Sequence, residues 1–147
     1  MKTLTKTLYD TDFNLWIEQT VTALKKGNLQ ELDLENLIEE IESMGKSDKR
    51  SLVSRLEVLL MHLLKWKYQP ERRSKSWIAT INEQRRKIRL ILKDSPSLMP
   101  YLKEQFTECY LEAKRDAAKE TNLETGIFLL ICPFSVENVL NPEYFPE

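Results

Sequence analysis

Residues 51–66, SLVSRLEVLLMHLLKW, form the stretch that decides the predicted fold. Its leucines recur at helical spacing and make one broad apolar face: Leu52, Leu56, Leu59, Leu60, Leu63 and Leu64. Val53, Val58 and Met61 widen this face. A helix that is apolar on several sides lies in the middle of a bundle, so the stretch predicts a central helix with other helices packed around it.

The composition is typical of a single globular domain. The chain has 147 residues, of which 41% are hydrophobic and 31% are charged. This length suffices for one domain and is short for two, so we predict one helical domain over residues 1–147. Only three glycines occur, together with many leucines, glutamates and lysines, and this balance favours helix over strand.

Capping and breaking residues predict an all-α, up-and-down bundle of about five main helices with a C-terminal tail that wraps it. The first predicted helix is capped by Asp10 or Asp12 and closed at Gly27, and the second starts after Asp33 and ends or bends at Gly45. The third runs from Ser47 to about Tyr68, and the fourth is capped by Ser74 or Ser76 and runs to about Lys93. The fifth has Pro100 in its first turn. We expect the tail to bury Phe128, Phe134 and Leu140. The apolar run Ile127–Cys132 stays open as loop, helix or strand.

The first two predicted helices each have an apolar stripe. The stripes consist of Phe13, Trp16, Ile17, Val21 and Leu24 in the first helix, and of Leu34, Leu37, Ile38, Ile41 and Met44 in the second. Residues 28–42 also contribute six acids and no base, so the second helix is acidic outside its stripe. This is the pattern of amphipathic helices that pack on one side.

The sequence predicts a cytoplasmic protein without a membrane span. The first ten residues, MKTLTKTLYD, lack the apolar segment of a signal peptide. The longest apolar run, Ile127–Cys132, is far shorter than the about 20 residues that cross a bilayer. Two cysteines without a CxxC spacing do not make a disulfide framework, which is consistent with a reducing compartment.

Arg85 is the most informative charged residue. It lies about 40° from Ile81 on the helical wheel and thus inside the apolar stripe of the fourth predicted helix. A partly buried guanidinium needs a carboxylate or several acceptors. We expect an internal ion pair with Glu42 or a neighbouring acid of the second helix, and the alternative is an anion or ligand pocket lined by Arg85.

His62 is the only histidine, and we expect it to be half-buried and bonded to a neighbouring side chain. A single histidine cannot make the paired Glu-x-x-His motifs of di-iron bundles or an H-E-x-x-H zinc site. The candidate polar site is Glu39, Glu42, His62 and Arg85, which would hold a ligand or one metal ion only if the helices brought these residues together. The spacing itself predicts no metal.

A basic segment, residues 65–89, offers a candidate nucleic-acid surface. Its cations are Lys65, Lys67, Arg72, Arg73, Lys75, Arg86, Lys87 and Arg89, interleaved with Trp66, Tyr68 and Trp77. Lysine and arginine neutralise phosphates, and exposed aromatic rings stack on unpaired bases, so RNA or single-stranded DNA fits better than duplex DNA. The net charge of −1 favours the alternative, in which the basic helix packs against the acidic one.

Patterns that predict catalysis are missing from the sequence. It has no glycine-rich phosphate loop, no G-x-S-x-G and no cysteine–histidine signature. Cys109 falls on the apolar face of the fifth predicted helix and is typical of a small core residue. We therefore predict no cofactor and leave enzymatic activity undecided, with a non-enzyme favoured.

Several motifs in the same order resemble bacterial domain-of-unknown-function family twenty-nine. They are YDTDF, ENLIEEIESMG, RLEVLLMHLLKW, YQPERRSKSW and CPFSVENVLNPEYFP, and together they span residues 9–146. The resemblance implies a small, all-helical, cytoplasmic protein and transfers no catalytic residues, because the family has no assigned activity. The recurring motif residues that match are Glu39, Glu42, His62, Lys65, Trp66, Arg73, Trp77 and Arg85. The stretch IFLLI before Cys132 is more apolar than the family pattern.

These observations favour a protein-interaction or regulatory module, with a protein partner or a second copy as its binding partner. Nucleic-acid binding through residues 65–89 is the alternative. A metal or ligand site around Glu42, His62 and Arg85 is the third hypothesis.

Overall fold

The computed structural model describes residues 7–147, and no β-strand occurs among them. The α-helices are α1 Leu8–Thr11, α2 Phe13–Lys26, α3 Leu34–Tyr68, α4 Lys75–Asp94, α5 Met99–Thr121 and α6 Val136–Leu140. Short 3-10 turns occupy Leu29–Glu31, Pro70–Arg72, Pro96–Leu98 and Thr125–Ile127. The prediction of an all-α fold is confirmed.

The chain divides into two compact units, residues 1–46 and residues 47–147. In the second unit, the leucines of residues 52–64 are 0–1% exposed and form one core with α4, α5 and the tail. This part of α3 is therefore the central helix that its broad apolar face predicts. The prediction of a single domain over residues 1–147 stays a prediction.

The helix α3 runs without a break through Gly45, where the sequence predicted an end or a bend. Gly45 has no positive φ, and a Cβ atom built on it would meet nothing within 4 Å. Glycine costs a helix only about 1 kcal/mol relative to alanine, which a helix of 35 residues can absorb. Ser47 is therefore an interior helical residue and not a cap.

Three predicted caps are confirmed. The Asp12 side chain accepts a hydrogen bond from Leu15 N at the start of α2, and Ser74 accepts one from Trp77 N at the start of α4. Gly27 ends α2 in the left-handed conformation, at φ 73°. These caps fix where α2 and α4 begin and where α2 turns towards α3.

The C-terminal tail packs on the core of residues 47–147. Phe128 and Phe134 are buried, Leu140 is half-buried, and the Tyr110 hydroxyl donates a hydrogen bond of 2.5 Å to Leu129 O. After the 3-10 turn that ends at Ile127, residues 128–132 have no regular structure, so the open assignment resolves as a loop. Between the two buried phenylalanines, Leu130 and Ile131 are 86% and 83% exposed.

Candidate functional site

Arg85 is the one charged residue buried among residues 7–147, with 1% of its surface exposed. It lies on α4 between Ile81 and Ile88, which are also fully buried. Its Nε donates to Val139 O at 2.8 Å and its Nη2 to Asn138 O at 3.4 Å. Burial lowers the pKa of Arg85 to about 10, so the guanidinium stays a cation at neutral pH.

The predicted ion pair of Arg85 with Glu42 is wrong, because backbone carbonyls take the place of the carboxylate. Both acceptors belong to the last turn of α6, where carbonyls lack the usual helical donor four residues on. Asn138 O also accepts a hydrogen bond from Asn141 N, at 3.2 Å. The C-terminus of a helix also has partial negative charge, which a cation stabilises. Arg85 therefore fastens the tail to α4, and no ion pair of Arg85 occurs within residues 7–147.

Phe145 and one free nitrogen complete the surroundings of Arg85. The guanidinium carbon lies 5.4 Å from the centroid of the Phe145 ring, within the range of a cation–π contact. Nη1 has no hydrogen-bond partner and is the one such buried side-chain nitrogen or oxygen in the described part of the chain. Arg85 thus has one nitrogen, with two N–H donors, that its own fold does not satisfy.

His62 is half-buried, as predicted, but its hydrogen-bond partner differs from the prediction. Its Nδ1 lies 2.9 Å from the backbone oxygen of Val58, one turn earlier in α3, and not beside a side-chain acceptor. Burial lowers the pKa of His62 below 6.5, and the Val58 carbonyl and the charges of Lys65 and Glu120 make smaller contributions. The imidazole is therefore neutral at pH 7.

The four residues of the candidate polar site have separate surroundings. Glu39 and Glu42 are exposed and belong to residues 1–46, whereas His62 and Arg85 belong to residues 47–147 and have different neighbours. Across residues 7–147, no group of three or more histidine, cysteine, aspartate or glutamate side chains is placed to hold a metal ion. A site that uses Glu39, Glu42, His62 and Arg85 together stays a prediction.

Two members of the basic segment, Lys65 and Arg73, are held by contacts within their own unit, which makes them less available to a phosphate. Lys65 Nζ lies 2.6 Å from Glu120 Oε2 and 4.7 Å from the Trp77 ring centroid. Arg73 Nε donates to Trp66 O at 2.8 Å, and its guanidinium covers the Trp66 ring at 4.8 Å. The ion pair with Glu120 joins α3 to α5, and the other contacts stabilise the connection from α3 to α4.

The remaining cations of the segment are divided between ion pairs and solvent. Arg86 and Lys87 bind Glu83 at 2.9 and 3.2 Å, and these hydrogen bonds lower the pKa of Glu83 to about 2. Lys67 is half-buried, with Nζ 6.0 Å from the Tyr68 ring centroid. Arg72, Lys75 and Arg89 are exposed. The nucleic-acid surface stays a prediction, and only part of its cations is available for it.

Residues 13–44, here called the N-terminal hairpin, hold an apolar surface that sequence reasoning assigned to packing. The Tyr9 hydroxyl donates to Glu40 Oε1, and this hydrogen bond raises the pKa of Tyr9 to about 12. The Tyr9 ring meets Phe13 and Trp16 edge-on, at centroid distances of 5.7 and 4.8 Å. Only Trp16 and Ala23 of α2 are buried, so most of the predicted stripe is uncovered.

The uncovered residues line a groove between α2 and the first turns of α3, here called the hairpin groove. Its volume is about 240 Å³, with Ile17, Val21 and Leu24 on one wall and Leu37, Ile41 and Met44 on the other. The exposed members of both stripes, each 40–66% exposed, are Phe13, Ile17, Val21, Leu24, Leu34, Ile38, Ile41 and Met44. The sequence signal was the pair of stripes, but periodicity does not reveal whether anything covers them.

The fold and these contacts define an all-α protein that fastens its own tail with a buried arginine and exposes an apolar groove on a helical hairpin. The chain belongs to the family called domain of unknown function DUF29, whose model matches residues 8–145. No curated protein and no solved structure matches it. No helix in residues 7–147 has the length and apolar character that crossing a membrane requires.

Proposed function

We propose that the protein is an interaction module whose hairpin groove binds a basic amphipathic helix of a partner protein. The observation that supports the proposal is the uncovered apolar surface on α2 and the start of α3. Eight large apolar side chains are 40–66% exposed there, and a large exposed apolar patch often belongs to an interaction site. A groove between two helices accepts a third helix through residues spaced three and four apart.

The charge of the hairpin supports a basic partner over a second copy of the chain. Residues 7–46 contain nine acids and three lysines, a net charge of −6. On α3, Glu40 and Glu42 flank the apolar stripe on its two sides. Two hairpins facing each other would bring these acids together, whereas a helix with lysine or arginine beside its apolar face complements them.

A synthetic helix tests this proposal directly. The probe is a fluorescent peptide of about 15 residues, long enough to match α2, with leucine on one face and lysine on the other. Its twin replaces each lysine by glutamate. Fluorescence anisotropy is expected to show binding of the basic peptide, weaker binding at high salt, and at least tenfold weaker binding of the acidic twin.

Two aspartate variants locate the binding surface. Ile41→Asp places a charge on the groove wall, where the side chain is 61% exposed, so the fold survives and the peptide affinity falls at least tenfold. Leu130→Asp is the matched control, since Leu130 is an exposed apolar residue of the other unit and its replacement leaves binding unchanged. Circular dichroism verifies that both variants fold.

Three results would overturn the proposal. They are no binding of the basic peptide, equal binding of its acidic twin, and binding that Ile41→Asp leaves intact. Sedimentation of the protein alone tests whether a second copy occupies the groove. A dimer that Ile41→Asp dissociates would identify that copy as the occupant and would exclude the basic partner helix.

A bacterial, cytoplasmic setting is part of the proposal. Cys109 and Cys132 are free thiols, which suits a reducing compartment. Fractionation of cells that express the tagged protein tests the location, and recovery from an oxidising compartment would contradict it.

A further inference from the structure

A second groove, independent of the hairpin, runs along α4 next to Arg85. This α4 groove has a volume of about 410 Å³, which lies in the range of small-molecule sites. Four apolar residues of three different helices form most of its lining: Ile88, Leu92, Met99 and Leu140. Its walls are therefore suited to a hydrocarbon body.

The charged residues that line the α4 groove are all cations. Arg85, Arg89 and Lys93 follow one another at intervals of four residues, which places them on one side of α4 at successive turns. No carboxylate is among the described residues that line it. Arg89 and Lys93 are exposed and take part in no ion pair within residues 7–147, so their charges are available to a ligand.

Arg85 adds a buried donor at the same place. It lines the groove, and its Nη1 lacks a hydrogen-bond partner although its other nitrogens bind the carbonyls of Val139 and Asn138. A buried donor without an acceptor is unfavourable, and an anion that reached it would gain a charge-assisted hydrogen bond.

We propose that the α4 groove binds a small-molecule carboxylate with a hydrocarbon chain, of the fatty-acid class. The carboxylate of the ligand lies at the end of the groove near Arg85 and Arg89. Its hydrocarbon chain extends past Leu92 of α4 towards Met99 at the start of α5. The mostly apolar lining distinguishes this ligand from phosphate or nucleic acid, which would need more polar partners than the groove offers. The proposal does not depend on the function of the hairpin groove.

The test uses the full chain with decanoate below its micelle concentration, and decanol as the uncharged counterpart of the same length. Methyl NMR signals of Ile88, Leu92 and Leu140 are expected to shift and saturate with decanoate, while those of Leu130 stay in place. Decanol should bind at least several-fold more weakly, because it lacks the charge that the cations attract.

A double variant assigns the charge. Arg89→Gln/Lys93→Gln alters two exposed cations and is expected to lower decanoate affinity about tenfold, and decanol affinity little. Arg72→Gln/Lys75→Gln removes two exposed cations that do not line the groove, and should leave both affinities unchanged. The proposal is overturned by an absence of saturable shifts, by equal binding of decanol, or by an equal loss in both double variants.

Discussion

Replacing Arg85 by methionine and by alanine separates the charge of this side chain from its volume. Methionine removes a charge whose burial costs about 3 kcal/mol, judged from the pKa drop from 12.5 to about 10. It also deprives the buried Val139 carbonyl of its donor, at a cost of about 1–3 kcal/mol. These opposed changes are similar in size, so Arg85→Met should stay within about 2 kcal/mol of the wild type.

The Arg85→Ala variant also removes the charge and the hydrogen bond to Val139 O, and in addition it leaves a cavity. The stem of Arg85 is buried on the same helix as the buried Ile81 and Ile88, and truncating a side chain of that size costs about 2–5 kcal/mol. We therefore expect Arg85→Ala to be less stable than Arg85→Met by about that amount. An internal ion pair of Arg85 would instead predict a severe loss of stability in both variants.

Urea unfolding followed by tryptophan fluorescence measures the difference. A Trp16→Phe background confines the signal to residues 47–147, because Trp66 and Trp77 then remain as the only tryptophans. The slope of the free energy against urea should be the same in both variants, which licenses the comparison. Equal stability of the two variants would show that the volume of the side chain contributes nothing beyond its charge. A wild-type stability of Arg85→Ala would show that Arg85 is not buried.

Three further predictions concern single residues. Because His62 is the only histidine, its NMR titration is unambiguous and should have a midpoint below 6.5. The folded state then binds its proton less readily than the unfolded state, so stability falls as the pH falls through and below 6.5, and a midpoint at or above 6.5 contradicts this. Gly45→Ala should raise the free energy of unfolding of the first unit by about 0.5–1 kcal/mol, and Gly27→Ala should lower it by about 1 kcal/mol, since of these two glycines only Gly27 has positive φ; a loss in Gly45→Ala would argue against the unbroken α3. Burial raises the pKa of Cys132 to about 11, so a thiol reagent at pH 8 should react far more slowly with the folded protein than in urea, and equal rates would contradict that shift.

Helix periodicity and capping residues predicted most of the architecture. The face of residues 52–64 identified the central helix, and the caps Asp12, Gly27 and Ser74 fixed the ends of α2 and α4. The burial of Arg85 also followed from its place in a stripe. These features depend on residues close in sequence, so the sequence determines them locally.

The errors have two sources: partners that are distant in sequence, and local signals that fit more than one structure. The acceptors of Arg85 are carbonyls more than fifty residues away. Every residue has a backbone carbonyl, so the residue type does not indicate which one will accept the hydrogen bond. Gly45 misled because glycine is compatible with a helix interior as well as with a helix end. The hairpin groove was missed because a stripe at Ile41 and its neighbours shows which face is apolar and not whether anything covers it.

The loop at Leu130 and Ile131 offers a natural place to divide the gene. On its N-terminal side the chain is held by the buried Phe128 and by the bond from Tyr110 to Leu129, and on its C-terminal side by Phe134, Val139 and Arg85. A severed peptide bond between two such anchored stretches removes no core contact. We therefore expect two separately produced polypeptides, residues 1–130 and 131–147, to associate and reconstitute the fold. This junction is thus suited to a split-protein complementation assay.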